Sequence, residues 1–135
     1  MIKVNKKIKY GFRAMIYLAL QNKTISVNQI SESEKIPRAF LEQIIQELKQ
    51  AGLVKSQRGS AGGFSLAKPI TQISLGDIVC ALEERVCLAD CLSNNLESCQ
   101  LQSTCLAKDG WEKIQCSLVS TMNQVSLASL LNSNS

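Results

Sequence analysis

Three cysteines are the residues of this chain whose type and spacing could do chemistry. Cys91, Cys99 and Cys105 follow a C-x7-C-x5-C pattern in a polar stretch, and the chain contains no histidine. Thiolates bind zinc, copper(I) and iron–sulfur clusters. Three cysteines leave one position of a four-coordinate centre without a ligand. A centre with an unusual or missing fourth ligand suits a sensor better than a structural support.

The compartment follows from the cysteine count and from the start of the chain. All six cysteines lie in the second half of the 135 residues, and an even count would also fit three disulfides. Disulfide frameworks belong to small secreted chains, whereas residues 3–20 make a poor signal peptide and no apolar run could span a membrane. We expect a cytoplasmic protein with metal-binding or redox-sensing cysteines. Cys80 and Cys116 are expected to be buried packing residues.

Charge divides the chain into two parts. Residues 1–70 hold twelve Lys and Arg against four Asp and Glu, and residues 71–135 hold three against seven. A basic half with a folded composition indicates a polyanionic partner, most often nucleic acid; a solvated basic face is the alternative. The length fits one compact domain.

The basic half has the element order of a winged helix-turn-helix. Two short helices follow an amphipathic first helix, and two alternating strands flank a glycine-rich tip. The predicted elements are a helix over 10–21, a helix capped by Ser26, a helix from Pro37 to Gly52, and strands at 53–56 and 64–67. The fold class is therefore predicted as mainly α with a small β-hairpin wing.

The second half, 71–135, is predicted to hold a linker helix capped by Ser74, a cysteine loop over 87–108 and a long helix. Apolar residues recur along that helix at helical spacing, and so small a domain cannot cover them all. We expect this stripe to form a homodimer interface; folding back onto its own winged domain is the alternative. The stripe residues are Trp111, Ile114, Leu118, Met122 and Val125.

In a winged helix-turn-helix, the second helix of the motif enters the major groove of DNA. Its exposed side would carry Arg38, Ala39, Glu42 and Gln43. Glu42 could accept from cytosine, Gln43 could pair with adenine, and Arg38 could read guanine or hold a phosphate. A surface ion pair with a nearby lysine is the alternative role for Glu42.

The wing tip and the other cations of the basic half would contact the DNA backbone. At the tip, Arg58 suits the negative potential of a narrow minor groove, and Ser60 lies beside it. Binding should weaken steeply with salt. The other candidate phosphate contacts are Lys3, Lys6, Lys7, Lys9, Arg13, Lys49, Lys55 and Lys68.

Together these residues resemble the IscR-like winged-helix transcriptional regulators over positions 10–131. The resemblance rests on four short runs and on the ordered cysteine trio that follows them. The runs are Phe40-Leu41-Glu42-Gln43, Gly52-Leu53-Val54, Arg58-Gly59 with Gly62-Gly63, and Ile73-Ser74-Leu75-Gly76-Asp77-Ile78, preceded by Tyr10 and Ala14-Met15.

The resemblance implies a homodimer built on the long helix that binds a pseudo-palindromic operator in double-stranded DNA. It implies a recognition helix in the major groove and Arg58 in the minor groove. It further implies that Cys91, Cys99 and Cys105 ligate a [2Fe–2S] or [4Fe–4S] cluster whose state changes which DNA sites are bound. The signal would be iron, redox or iron–sulfur status.

The chain departs from the family pattern at the fourth ligand. The x7 spacing between the first two cysteines is similar to that of the iron-responsive members. No histidine follows the third cysteine, and Lys9 occupies the position where nitric-oxide sensors carry an aspartate. Cys87 is favoured as the fourth ligand because it is the softest candidate. The other candidates are Asp90, Asp109, Glu83, Glu84 and an exogenous thiol or water.

Two other functions fit parts of the sequence. A cluster-free winged-helix repressor would respond through thiols or a partner protein. A zinc-stapled protein-interaction module would use its basic half only as a solvated surface. We do not expect an enzyme, because the chain lacks histidine and has no nucleophile beside a recognisable base.

Overall fold

The computed structural model describes residues 4–59, 62–83 and 106–132, and within these ranges the protein is a set of helices around a two-stranded hairpin. The predicted fold class, mainly α with a β-hairpin wing, is confirmed. The elements are α1 (Lys6–Gln21), α2 (Val27–Glu34), α3 (Arg38–Gln50), β1 (Val54–Gln57), β2 (Gly63–Leu66), a 3₁₀ turn (Ile70–Gln72), α4 (Leu75–Leu82), α5 (Leu106–Gln124) and α6 (Leu127–Asn132).

Side-chain caps fix where several helices begin. The predicted cap Ser26 accepts a hydrogen bond from the backbone N–H of Gln29 at the start of α2. At the start of α4, Ser74 accepts from the N–H of Asp77, and the Asp77 carboxylate accepts from the N–H of Ser74. This reciprocal pair is a capping box, which satisfies two N–H groups that a helix end leaves without partners. Both predicted helix starts are confirmed.

The hairpin is attached to the helices by an isolated backbone bridge between Ile25 and Phe64. β1 and β2 pair antiparallel, with Val54 opposite Leu66 and Gln57 opposite Gly63. Ile25, between α1 and α2, exchanges two backbone hydrogen bonds with Phe64. A Cβ atom at Gly63 would lie 2.3 Å from the carbonyl oxygen of Ile25. Glycine is therefore required where the wing crosses the chain that leads into α2.

In the described part of the chain, an apolar core lies between α1, α2, α3 and α4, and β1 and α6 close it. Its largest fully buried side chains include Met15, Leu41, Ile44 and Ile78. Helices α1 and α4 approach closely at Gly11, where a Cβ atom would meet Leu82 Cδ1 at 2.3 Å. Packing of α4 into this core attaches the start of the second half of the chain to the winged part.

The long helix α5 touches its own domain at its C-terminal end. A Cβ atom at Gly76 of α4 would lie 1.9 Å from Asn123 Oδ1 of α5. Beyond α5, the backbone N–H of Leu75 donates to the carbonyl of Val125 at 2.7 Å, and the N–H of Leu127 donates to Ile73 at 2.9 Å. These bonds anchor the end of α5 and the start of α6 beside the N-terminus of α4.

The expectation that Cys80 and Cys116 are buried was wrong. Both thiols are exposed and neither is in a disulfide. On α4, Val79 and Leu82 turn toward the core, and Cys80 lies on the other side of the helix. Cys116 belongs to a helix that buries no residue within this chain. Apolar character alone did not reveal which side of each helix the core would cover.

Candidate nucleic-acid interface

Helix α3 has a buried face and an exposed face, as a recognition helix requires. Leu41, Ile44, Ile45 and Leu48 are buried. The predicted base readers Arg38, Ala39, Glu42 and Gln43 are all exposed, and they share the N-terminal half of the helix. Pro37 precedes the helix, and no side chain caps it. The first turn therefore presents unpaired N–H groups, which suit an anion such as a phosphate.

Two of these exposed side chains bind each other. Arg38 Nε lies 3.0 Å from Glu42 Oε1 across one helical turn, and the two side chains remain 61% and 52% exposed. The predicted alternative for Glu42, an ion pair on the helix surface, is realised with an arginine instead of a lysine. Exposed pairs of this spacing contribute only about 0.3–0.5 kcal/mol. Contact with DNA can therefore redirect both groups at little cost.

Two contacts join α3 to α1. Lys7 Nζ lies 2.7 Å from Glu47 Oε2, and both side chains are about three-quarters buried. The rings of Tyr10 and Phe40 meet edge to face with centroids 5.5 Å apart. An arrangement of this kind contributes beyond its buried area. These two contacts fix the orientation of α3 relative to α1.

The wing brings its arginine to the end of β1. Arg58 follows Gln57 directly and is exposed. Gly59 has φ of 108°, a conformation that side chains other than glycine rarely adopt. A Cβ atom at Gly62 would lie 2.6 Å from the carbonyl oxygen of Gln57. Glycine is therefore favoured at both positions that flank residues 60 and 61. Ser60, the other predicted wing contact, lies outside the described residues.

Two of the candidate phosphate-binding cations have partners within the chain. Lys7 is paired with Glu47, and Arg13 is paired with Glu34 at 3.2 Å. The Arg13 guanidinium also donates to the backbone carbonyl of Glu34. Both ion pairs join different helices. They could not be predicted from sequence because the partners are 40 positions apart for Lys7 and 21 for Arg13.

The predicted metal ligands Cys87, Cys91, Cys99 and Cys105 lie outside the described residues, as do Glu84 and Asp90. Of the remaining fourth-ligand candidates, Glu83 accepts a hydrogen bond from the Asn5 amide, and Asp109 is exposed in the first turn of α5. Within ranges 4–59, 62–83 and 106–132, no three metal-ligating side chains come together.

The predicted dimer stripe divides into two parts. Trp111, Ile114 and Leu118 keep 42%, 50% and 36% of their surface exposed. Met122 and Val125, at the C-terminal end where α5 meets α4, are half-buried within the chain. An apolar face therefore remains uncovered along the N-terminal two-thirds of α5.

Comparison with known proteins assigns the family. The Rrf2 family model, described as an iron-dependent transcriptional regulator, matches residues 4–133. The chain belongs to the Rrf2 family. The predicted IscR-like resemblance is confirmed, and the chain is a transcriptional regulator of the Rrf2/IscR type.

Curated and structural relatives agree with this assignment. The HTH-type transcriptional regulator IscR of Vibrio atlanticus is 31% identical over 135 residues, which cover 98% of this chain and 77% of the relative. The structure of T. potens IscR superposes with a TM-score of 0.81 at 32% identity, covering 99% of this chain and 89% of the other. CymR, the global cysteine regulator of B. subtilis, has a TM-score of 0.77 at 29% identity, covering 96% of each chain.

The Rrf2 match includes the segment that contains the cysteine trio. In the described part of the chain, no helix is both long enough and apolar enough to cross a membrane.

Proposed function

We propose that this Rrf2-family regulator binds a pseudo-palindromic operator as a homodimer and senses iron, redox or iron–sulfur status through a cluster on Cys91, Cys99 and Cys105. The observation that carries the proposal is the position of the cysteine trio between two helices. The trio lies between Leu82, the last residue of α4, and Leu106, the first residue of α5. α4 packs against the DNA-reading helices, and α5 carries the uncovered apolar face.

The DNA-binding part of the proposal rests on α3 and the wing. Arg38, Ala39, Glu42 and Gln43 occupy the exposed face of a helix whose other face is packed in the core. Base edges in the major groove would be read by Glu42 and Gln43. Arg58 would enter the adjacent minor groove, with Ser60 beside it.

The dimer part rests on the apolar face of α5. Trp111, Ile114 and Leu118 lie on one side of the helix at intervals of three and four residues, the spacing that two packed helices use. A two-fold dimer presents two recognition helices, and their separation sets the spacing of the operator half-sites. Met122 and Val125 would continue the interface from a half-buried position.

The cluster part rests on the chemistry of the donor set. Three or four thiolates without a histidine match the ligands of [2Fe–2S] and [4Fe–4S] clusters, and Cys87 would supply a fourth thiolate. When bound, a cluster provides a group that responds to iron supply and redox state. This chain's own contribution is to bring the cysteines together, so cluster binding would be coupled to the folding of the segment that carries them.

Cluster binding could change the position of the DNA-binding helices. Residues 83–105 connect α4 to α5. The predicted cysteine loop extended to residue 108, but residues 106–108 form the first turn of α5. Gly76 and Asn123 are in direct contact where these helices meet. A change in the connecting segment would move α4 relative to the dimer helix. The two recognition helices would then change their separation, which alters the fit to a given operator.

A cluster-free thiol sensor is the second candidate. Cys80 and Cys116 are exposed on α4 and α5, so both thiols are open to oxidants, and exposure is a condition for a redox-sensing cysteine. The structural likeness to CymR also favours this alternative. Membership of the Rrf2 family favours a transcriptional regulator over a protein-interaction module with a structural zinc site.

The experiment compares Cys99→Ser with Cys80→Ser after anaerobic purification. Absorption spectra and iron, sulfide and zinc analyses would be recorded for each, along with operator affinity before and after exposure to air. The operator would be selected from random duplexes by the wild-type protein. The proposal expects Cys99→Ser to remove visible absorbance and iron and to change operator affinity. Cys80→Ser should keep the visible absorbance, the iron content and the operator affinity of the wild type.

Each alternative has its own result. A colourless wild type whose affinity responds to peroxide, with loss of that response in Cys80→Ser or Cys116→Ser, would replace the cluster with a thiol sensor. One zinc per chain and no salt-dependent DNA binding would support the interaction module.

A further inference from the structure

A groove beside the wing brings together Lys23 and two of the predicted phosphate contacts, Lys55 and Lys68. Its volume is about 750 Å³, and it runs between the C-terminal end of α1, the outer face of the hairpin and the segment that leaves β2. Lys23, Lys55 and Lys68 come to it from these three parts of the chain, which are 13 to 45 positions apart in sequence. The fold alone brings them to one place.

The groove is positively charged. Among the described residues that line it there is no carboxylate. The ion pairs found in the described part of the chain involve other side chains. The C-terminal end of α1 contributes roughly half a negative charge, which three ammonium groups outweigh. The net potential of the groove therefore attracts an anion.

Neutral hydrogen-bond donors complete the site. Thr24 Oγ1 donates to Gln57 Oε1 at 3.0 Å, which fixes the side-chain amide of Gln57 and leaves its NH₂ group as the donor. Ser65 lies directly opposite Lys55 in the hairpin, so its hydroxyl is on the same face. Ammonium, amide and hydroxyl donors around one space are the groups that bind phosphate oxygens.

The position of the groove indicates which phosphate it meets. Gln57 lines the groove, and Arg58 is the next residue. Lys55 lies three residues before Arg58, so their Cα atoms are at most about 10 Å apart. The minor groove is about 6 Å wide and is bounded by the two phosphate backbones. A DNA backbone therefore passes within reach of the groove when Arg58 occupies the minor groove.

We propose that Lys23, Lys55 and Lys68, with Gln57 and Ser65, form a binding site for a backbone phosphate of DNA on the outer side of the wing. The site anchors the wing without reading sequence and extends the protein's contact beyond the bases that α3 and Arg58 reach. The inference rests on the proposed DNA-binding function. An acidic surface of another protein is the competing occupant.

The test measures affinity for the selected operator duplex at salt concentrations from 50 to 200 mM. Variants are Lys23→Gln, Lys55→Gln and Lys68→Gln, singly and together. A triple Lys→Arg variant keeps the charges, and Lys113→Gln removes an exposed lysine of α5 that lies outside the groove. Circular dichroism and thermal melting would check that each variant folds.

We expect each Lys→Gln change to reduce the slope of log affinity against log salt by about 0.9 per bound protomer, and the triple change by about 2.7. The triple Lys→Arg variant and Lys113→Gln should keep the wild-type slope. Selection from random duplexes should return the same sequence with the triple Lys→Gln variant. Hydroxyl-radical footprinting should show lost protection beside the wing site only.

Three results would overturn the inference. An unchanged slope in a folded triple Lys→Gln variant excludes a phosphate contact in the groove. An equal reduction in Lys113→Gln attributes the effect to net charge. Unchanged DNA affinity together with lost regulation in reconstituted transcription assigns the groove to an acidic protein surface. A wild type that binds no DNA would instead remove the proposed function itself.

Discussion

Truncating one side chain on the uncovered face of α5 should weaken the proposed dimer without unfolding the chain. Ile114 is 50% exposed within the single chain. Ile114→Ala deletes three carbon groups, each stabilising by about 0.8 kcal/mol when fully buried. Half of that surface is available to a partner, so the loss is about 1.2 kcal/mol per protomer and about 2.4 kcal/mol per dimer. The dimer dissociation constant should therefore rise by about 50-fold.

Analytical ultracentrifugation over a concentration series measures that constant directly, with a urea melt of dilute monomer as the check on folding. Leu20→Ala is the matched control, since Leu20 on α1 is 63% exposed and lies outside the stripe. An unchanged dissociation constant in Ile114→Ala, or equal weakening of the dimer by Leu20→Ala, would exclude an interface on the uncovered face of α5.

Three further changes test the fold and the interface. Gly63→Ala should destabilise the chain by about 1–3 kcal/mol, because its Cβ atom would sit 2.3 Å from the Ile25 carbonyl oxygen. A Cβ atom at Gly110 would meet nothing within 4 Å, so Gly110→Ala should stabilise the chain in the same urea melts. Equal free energies of unfolding for the two variants would contradict the packing argument. Ser74→Ala should cost about 0.5–2 kcal/mol by removing the cap of α4, and an unchanged melting curve would count against that cap. Glu42→Ala should change the duplex sequence selected from a random library while leaving the salt slope nearly unchanged, whereas an identical selected sequence would show that Glu42 does not read bases.

Local signals were sufficient for the element order of the winged part. Ser26 and Ser74 marked helix starts because a hydroxyl that accepts from the third following N–H needs only a short stretch of chain. Gly52 ended α3 because its φ of 81° favours glycine. Strand limits shifted by one residue, since backbone pairing, not side-chain pattern, decides them.

Burial was harder to predict wherever two faces of a helix are similar in polarity. The prediction placed Cys80 and Cys116 in the core, and both are exposed. Met122 and Val125 were assigned together with Trp111 to one uncovered stripe, but both are half-buried within the chain. Which part of a stripe is covered depends on where another helix ends.

The sequence by itself determined the family, the order of the helices and wing, and which residues of α3 are exposed. These features depend on residue type and short spacing, which the chain displays directly. Only the tertiary structure decided which cations are held in ion pairs, as Lys7 is with Glu47, and which remain together in a groove, as Lys23, Lys55 and Lys68 do. The physical reason is that charge pairing depends on distances between residues far apart in the chain, and packing of the core sets those distances.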